Sequence, residues 1–289
     1  MTIQWFPGHM TKAKRKLEEQ LGWVDVAIEL GDARLPLSSR NPLLLELLGK
    51  KPRLLILNKS DLADDNMTKE WLRILGENGP VIATSAATGS GMKRIVPELE
   101  KMMAEKMKRL REKGVINKPI RVMVIGIPNI GKSTLINQLT GGAHAKTGNK
   151  PGVTKGNQWI RIHDKVELLD TPGMLWPKFD DQEIGRKLAV TGAVRDEVFD
   201  QEKLAEWLLK WLKKNYPNTM ERFKKSQEDE ITLELVGKNR GCLLSGGRVD
   251  TFKAAQILLR EYRSGKVGKV TMDLLGKQKT KPLIDEVLG

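Results

Sequence analysis

Short apolar runs alternate with helical stripes along the first 170 residues of the chain. Val24 to Leu30 alternates apolar and polar side chains for most of its length, which predicts a strand, and a loop follows from Gly31 through Asp32, Ala33 and Arg34 to Pro36. A helix through Leu43 to Leu48 ends at Gly49. Arg53 to Leu57 then gives a continuous apolar run of the kind buried on both faces of a parallel sheet. Trp71, Leu72 and Leu75 mark another helix, Val81 to Ala83 another buried strand, and residues 92–113 a long helix stopped by Gly114. The β-branched run Ile120 to Ile125 is a further strand, and Leu135, Ile136 and Leu139 place an amphipathic helix shortly after it. Two short strands, Trp159 to Ile162 and Val166 to Leu169, complete the series. Strand, helix, strand, helix is the signature of an α/β fold, here with a mostly parallel six-stranded sheet.

Near residue 180 the pattern changes to helices. Leu204, Trp207, Leu208, Trp211 and Leu212 recur at helical spacing as a core-facing stripe, and a second helix runs from Val249 through Phe252, Ala255, Leu258 and Leu259 to Tyr262, stopping near Gly265. The expected division is residues 1–180, an α/β domain with a basic N-terminal tail, and residues 181–289, an all-helical domain. The tail turns at Pro7 and Gly8 and feeds a helix. The glycine- and lysine-rich stretch Gly141 to Gly156 lacks apolar periodicity and reads as mobile.

Composition adds the partner. With 289 residues and 39% hydrophobic content the chain can bury two ordinary cores. Its net charge of +14 favours a polyanion, although a solvated lysine-rich face has the same composition. Five phenylalanines and two tyrosines make stacking on an aromatic sheet a poor candidate mode, so backbone contact to structured RNA is expected. Lys266, Lys269, Lys277, Lys279 and Lys281 make the second domain the candidate surface. Cys242 is the only cysteine, which excludes an intrachain disulfide and a cysteine-rich zinc site. No apolar run reaches the roughly 20 residues of a membrane span, and the N-terminus lacks the layout of a signal peptide. A soluble cytoplasmic monomer is expected, with an anionic membrane surface the lesser alternative for the basic tail.

The specific chemistry begins at Gly126 to Ser133, on a strand-to-helix turn. Glycines there let successive backbone N–H groups face phosphates, Lys132 adds a cation, and the Ser133 hydroxyl can hold Mg²⁺. Asn58, Lys59, Ser60 and Asp61 follow a buried strand. A carboxylate can accept from the N1 and N2 edge of guanine, an asparagine can address O6 and N7, and a lysine stem can lie along the base plane. Ser85 and Ala86 would add a backbone N–H for O6.

Together with Thr154 and the run Asp170 to Gly173, these elements resemble those of the Ras-like P-loop GTPases. Their order is rotated, because the guanine-reading residues precede the phosphate loop. The resemblance therefore implies a circularly permuted GTPase domain, with the long helix 92–113 joined directly to what is ordinarily the first strand. Within that class, Trp5 to Met10, the loop Asp32 to Arg34, and the closing Arg240-Gly241 and Gly246 to Asp250 closely resemble the RbgA/YlqF family of bacterial ribosome-assembly GTPases over essentially the whole chain. That implies GTP hydrolysis, slow alone and stimulated by the ribosome, at a late step of large (50S) subunit assembly. It also implies GTP/GDP and Mg²⁺ as ligands, rRNA and the large-subunit precursor as partners, and a helical RNA-binding domain. A mitochondrial relative is disfavoured, since no transit peptide precedes Trp5. The alternatives are an rRNA-binding scaffold with GTP as a structural ligand, or a GTPase acting on another structured RNA.

By the same resemblance, Gly126 to Lys132 hold the β and γ phosphates, Asn129, Ile130, Gly131, Lys132, Ser133 and Thr134 bind the nucleotide, Ser133 and Thr154 hold Mg²⁺, and Asp170 supports the metal through water. Gly173 would donate its N–H to the γ phosphate. The next residue is Met174, where Ras-like enzymes carry a water-orienting glutamine, and a thioether cannot orient water. His9 is the candidate replacement, with His144 its rival. Asn129 sits where potassium-stimulated GTPases carry an asparagine ligand for K⁺; the alternative is an asparagine that caps the loop.

Overall fold

A computed structural model describes residues 10–141, 159–169, 181–223 and 230–276. These fall into two compact units: one holds residues 10–141 and 159–169 together with Asp273 to Gly276, the other residues 181–223 and 230–272. The expected division leaves Asp273 to Gly276 with the helical unit, whereas these four residues group with the first unit.

The first unit contains β1 (Val26–Asp32), β2 (Arg53–Asn58), β3 (Val81–Ala83), β4 (Ile120–Ile125), β5 (Trp159–His163) and β6 (Val166–Leu169). Their order in the sheet is β3-β2-β1-β4-β6-β5. All neighbours are parallel except β5 and β6. The helices are α1 (Met10–Leu21), α2 (Pro42–Leu48), α3 (Asp65–Gly76), α4 (Ile95–Glu112) and α5 (Lys132–Leu139). The sheet order explains the rotation: β4, which leads into the phosphate loop, lies in the middle although it is fourth in the chain, with β1 on one side and β6 on the other.

Local chemistry sets the ends. Asp64 accepts from the N–H groups of Asn66 and Met67 at the start of α3, and Asn41 caps α2 ahead of Pro42. By the strand registers two apolar clusters lie side by side on one face of the sheet, and the complete burial of β1 shows that the other face is covered too. Leu17 and Leu21 of α1 join Val24, Ala27, Met123, Ile125 and Leu169 in one cluster, so α1 covers the β1-β4-β6 face. Trp71 and Leu75 of α3 join Ala33, Leu37, Leu55 and Leu57 in another. The alternation expected for Val24 to Leu30 does not mean a half-exposed strand, because every residue of β1 is buried. Its polar position, Glu29, is paired with Arg40 through two hydrogen bonds of 2.8 and 3.1 Å, and Arg53 lies 3.5 Å away. A buried carboxylate is tolerated here because it is paired and hydrogen-bonded.

The second unit is built from α6 (Gln182–Val190), α7 (Gln201–Asn215), α8 (Leu233–Asn239) and α9 (Thr251–Arg263). Leu204, Leu208 and Leu212 are buried as expected, but Trp207 and Trp211 are only half-buried. Trp211 instead stacks on Tyr216 at 5.9 Å. Arg263 ties α9 to the end of α6 through the carbonyls of Ala189 and Val190, and to Asp196 by a bidentate pair. No described helix is long and apolar enough to cross a membrane. The N-terminal tail and the stretch expected to be mobile, from residue 142, lie outside the described residues.

Candidate functional site

In a parallel sheet every strand delivers its following loop to one edge, and ligands bind there beside the point where strand order reverses. The loops after β1, β2, β3 and β4 meet at that edge. The phosphate loop leaves β4 at Gly126 and enters α5 at Lys132, with Gly131 as the helix cap. Two glycines are required by the packing. Gly126 has φ 157°, and a Cβ there would lie 2.6 Å from the Leu30 carbonyl oxygen; Gly131 has φ 102°, and its Cβ would lie 2.5 Å from Asn58 Nδ2. Asn129 is left-handed at φ 55°, a conformation that asparagine tolerates better than most residues.

Lys132 curls back over its own loop and donates to the carbonyls of Gly126 at 3.0 Å and Ile127 at 2.7 Å. Burial pushes its ammonium down to about 8. Among the described residues no carboxylate offsets that burial, so a phosphate would restore its charge. Ser133 and Thr134 are exposed in the first turn of α5, where N–H groups and dipole favour anions. An exposed hydroxyl beside a phosphate-binding loop has the oxygen chemistry that Mg²⁺ takes, so Ser133 fits the metal role.

The guanine-side residues are brought to the same edge. Asn58 spends its amide on the protein: Nδ2 donates to the Ile130 carbonyl at 3.0 Å, while Oδ1 accepts from Ala86 N at 3.0 Å and Thr84 Oγ1 at 3.3 Å. One side chain thus fixes the phosphate loop and the loop after β3 to the end of β2. Ala86 N, expected to face O6, is held by Asn58 in this geometry. Lys59 has φ 60° and extends to the Asn129 carbonyl at 2.8 Å. Asp61 is half-buried in the turn Ser60–Leu62, and Ser85 is buried with its N–H bonded to the Ser90 carbonyl.

Sequence reasoning passed over the group that supports Lys59. Asp32, at the end of β1, lies 3.3 Å from Lys59 Nζ and takes two side-chain hydrogen bonds from Arg34, at 2.9 and 2.7 Å. Burial alone would raise its carboxyl, but Arg34 and Lys59 outweigh burial and hold it at about 2. Ser39 Oγ accepts from the Asp32 N–H at 2.9 Å and closes the loop. The available signal was an aspartate and an arginine two residues apart directly after a buried strand. His9, His144, Thr154, Asp170, Gly173 and Met174 lie outside the described residues.

Comparison with known proteins agrees with this geometry. The family described as 50S ribosome-binding GTPase matches residues 121–233. Ribosome biogenesis GTPase A of Bacillus cereus is 48% identical over 278 residues, 94% of either chain. Mitochondrial ribosome-associated GTPase 1 of Mus musculus is 36% identical over 296 residues, covering 93% of this chain and 90% of its own. The crystal structure of GNP-bound YlqF from T. maritima superposes with a TM-score of 0.64 at 27% identity, covering 90% of this chain and 97% of that one. Its GDP-bound form gives 0.66 at 25% identity, over 91% and 100%. The fold is that of a circularly permuted GTPase, and the chain belongs to the ribosome biogenesis GTPase A family of ribosome-assembly GTPases.

Proposed function

We propose that this GTPase serves a late step in maturation of the large (50S) ribosomal subunit, binding the rRNA of the precursor in a manner set by its nucleotide. The carrying observation is the match of residues 121–233, from the phosphate-loop strand into the second unit, to a family described by 50S ribosome binding. The net charge of +14 suits that polyanion. The protein would act as a monomer in the cytoplasm, with the helical unit as its principal RNA-binding part.

Phosphoryl transfer rests mostly on positioning and electrostatics. The N–H groups from Asn129 to Thr134 and the Lys132 ammonium would hold the β and γ phosphates, and Gly173 would add its N–H to the γ phosphate. Ser133 and Thr154 would hold Mg²⁺, with Asp170 behind it; the bound metal supplies charge neutralisation on the phosphate oxygens. His9 would orient the attacking water in place of the absent glutamine. Asn129 would hold K⁺ and so deliver charge that other GTPases take from an arginine. The segment after Gly173 runs into the helical unit, so nucleotide state would be read as a change in the order or orientation of that unit.

GTP turnover measured with and without purified large subunits, in potassium and in sodium chloride, tests this reading. Turnover rises with subunits, more in potassium, and His9→Ala lowers it while GTP affinity stays near normal. Turnover indifferent to the subunits sinks the proposal. Equal rates in the two salts remove the K⁺ role alone.

A further inference from the structure

A second basic site lies on the GTPase unit, away from the nucleotide. A cavity of about 700 Å³ opens where β1, β2 and β4 begin, and Trp159 of β5 borders it. That volume falls within the roughly 300–1,000 Å³ usual for ligand sites. The phosphate loop leaves the other end of β4, roughly 15–20 Å away at the rise of a strand. Four cations line the cavity, Lys51, Lys106, Lys118 and Arg121, against one carboxylate, Asp25.

The one carboxylate does not neutralise these cations. Asp25 is already committed: it accepts from Lys106 at 2.6 Å and from the Arg121 N–H at 2.9 Å. Lys51 donates to the Val24 carbonyl at 2.7 Å, and burial together with the nearby Lys106 charge disfavours its ammonium despite Asp25. Lys118 is exposed. Arg121 stands 3.8 Å from Glu167, outside the lining, so a surplus of positive charge remains after every pairing. Placing an anion there would relieve it.

Two aromatic planes accompany the charge. Trp23 is 38% exposed, an unusual amount for so large an apolar ring. The Arg121 guanidinium lies 4.7 Å over the Trp159 ring, a plane on which a base can also stack. Phosphate-pairing lysines interleaved with stacking planes are the chemistry that holds single-stranded nucleic acid. We propose that this cavity binds a single-stranded RNA segment, with one unpaired base against Trp23, a neighbouring one against the Arg121–Trp159 pair, and the flanking phosphates at Lys51 and Lys118. The choice of a polymer over a free nucleotide rests on the ribosomal reading above.

The test is binding of an unstructured 12-nucleotide RNA to the full-length, GDP-bound protein, beside a duplex of equal length and free UMP. Single strand should bind more tightly than duplex or UMP. Trp23→Ala should weaken the single strand by roughly 5- to 100-fold, the range of one lost stacking contact, and Trp23→Phe should restore most of it. Lys51→Gln with Lys118→Gln should reduce the slope of log affinity against log salt by about 1.4, two phosphate contacts on a single strand. Ultraviolet crosslinking should mark Trp23 or Trp159. Unchanged affinity in Trp23→Ala, crosslinks confined to residues 181–276, or UMP binding as tightly as RNA would each overturn the proposal. None of these residues belongs to the nucleotide site, so basal GTP turnover stays unchanged in every variant. Subunit-stimulated turnover that persists in variants with unaltered RNA affinity would end this inference and leave the proposed function standing.

Discussion

Asp32 and Asn58 spend their side chains on the protein itself, and both fix where Lys59 and the loop after β4 stand. Asp32 holds Arg34 and Lys59 at once, and its carboxyl sits at about 2 against an ordinary value of 3.8. The folded chain therefore takes up this proton later than the unfolded chain, and stability from the group is complete above about pH 4 and lost as pH falls toward 2. A shift of that size corresponds to about 2 kcal/mol. In urea titrations the stability gap between the wild type and Asp32→Asn should be constant from pH 7 to 5 and shrink by about that amount between pH 4 and 2; a gap that does not vary with pH removes the ion-pair account. Asn58 makes a sharper comparison. Asn58→Ala loses its three hydrogen bonds, at a cost of about 1–3 kcal/mol. Asn58→Asp keeps two of them but sets an acceptor against the Ile130 carbonyl, so it should be no more stable than the alanine variant by thermal unfolding, despite its near-identical shape. From the sequence, Asn58 is expected to read the base through its company with Lys59 and Asp61. The sequence could not show that the amide bridges to Ile130, 72 positions away, because that contact exists only once β2 and β4 share an edge.

At the scale of elements, the α/β series was legible because each buried parallel strand is a short apolar run and each glycine stop falls where a helix ends. What the pattern concealed was burial of charge: Glu29 reads as the polar face of a strand and is instead an internal ion pair. The helical unit was less legible. The seven residues of α8 are too few to establish a period, and the bridge between Leu243 and Val249 involves single residues. Nothing in the tail announced Asp273. This buried carboxylate accepts from the N–H groups of Leu37 at 2.9 Å and Ser38 at 2.7 Å and from Ser38 Oγ at 2.6 Å, while its carbonyl takes the Trp71 Nε1–H at 2.8 Å. Leu275 packs against the cluster that contains Trp71. The adjacent Ser39 supports Asp32, and through Lys59 the contacts continue to the phosphate loop. Asp273→Ala leaves three donors without their acceptor and should cost about 2–4 kcal/mol in urea unfolding. If strain passes along those contacts, GDP affinity should fall about 2- to 30-fold. A variant within about 0.5 kcal/mol of wild type would show the return segment to be a passive tail.

For the whole molecule, the rotated order places the joined ends of the ancestral domain between α4 and β4. Such a joint should be the least constrained crossing in the GTPase unit, because the sheet does not need it to be short. The geometry agrees: Gly114 and Val115 bond back to the carbonyls of Arg111 and Leu110, closing the helix, and Val115 and Ile116 are 41% and 75% exposed. Asn117 turns the chain at φ 63° just before β4. Closing a loop of twice the length costs only about 0.6 kcal/mol. Six glycine and serine residues inserted between Ile116 and Asn117 should therefore lower stability by less than about 1 kcal/mol and leave GDP affinity within about twofold. The same insertion between Lys59 and Ser60 has a different consequence, because it separates Asp61 from the lysine that braces the phosphate loop, and guanine binding should be lost. Calorimetric GDP titration of both insertions decides the matter. If the Ile116 insertion costs several kcal/mol, the link is a structural part of the sheet, and the joint of the permutation must be sought elsewhere.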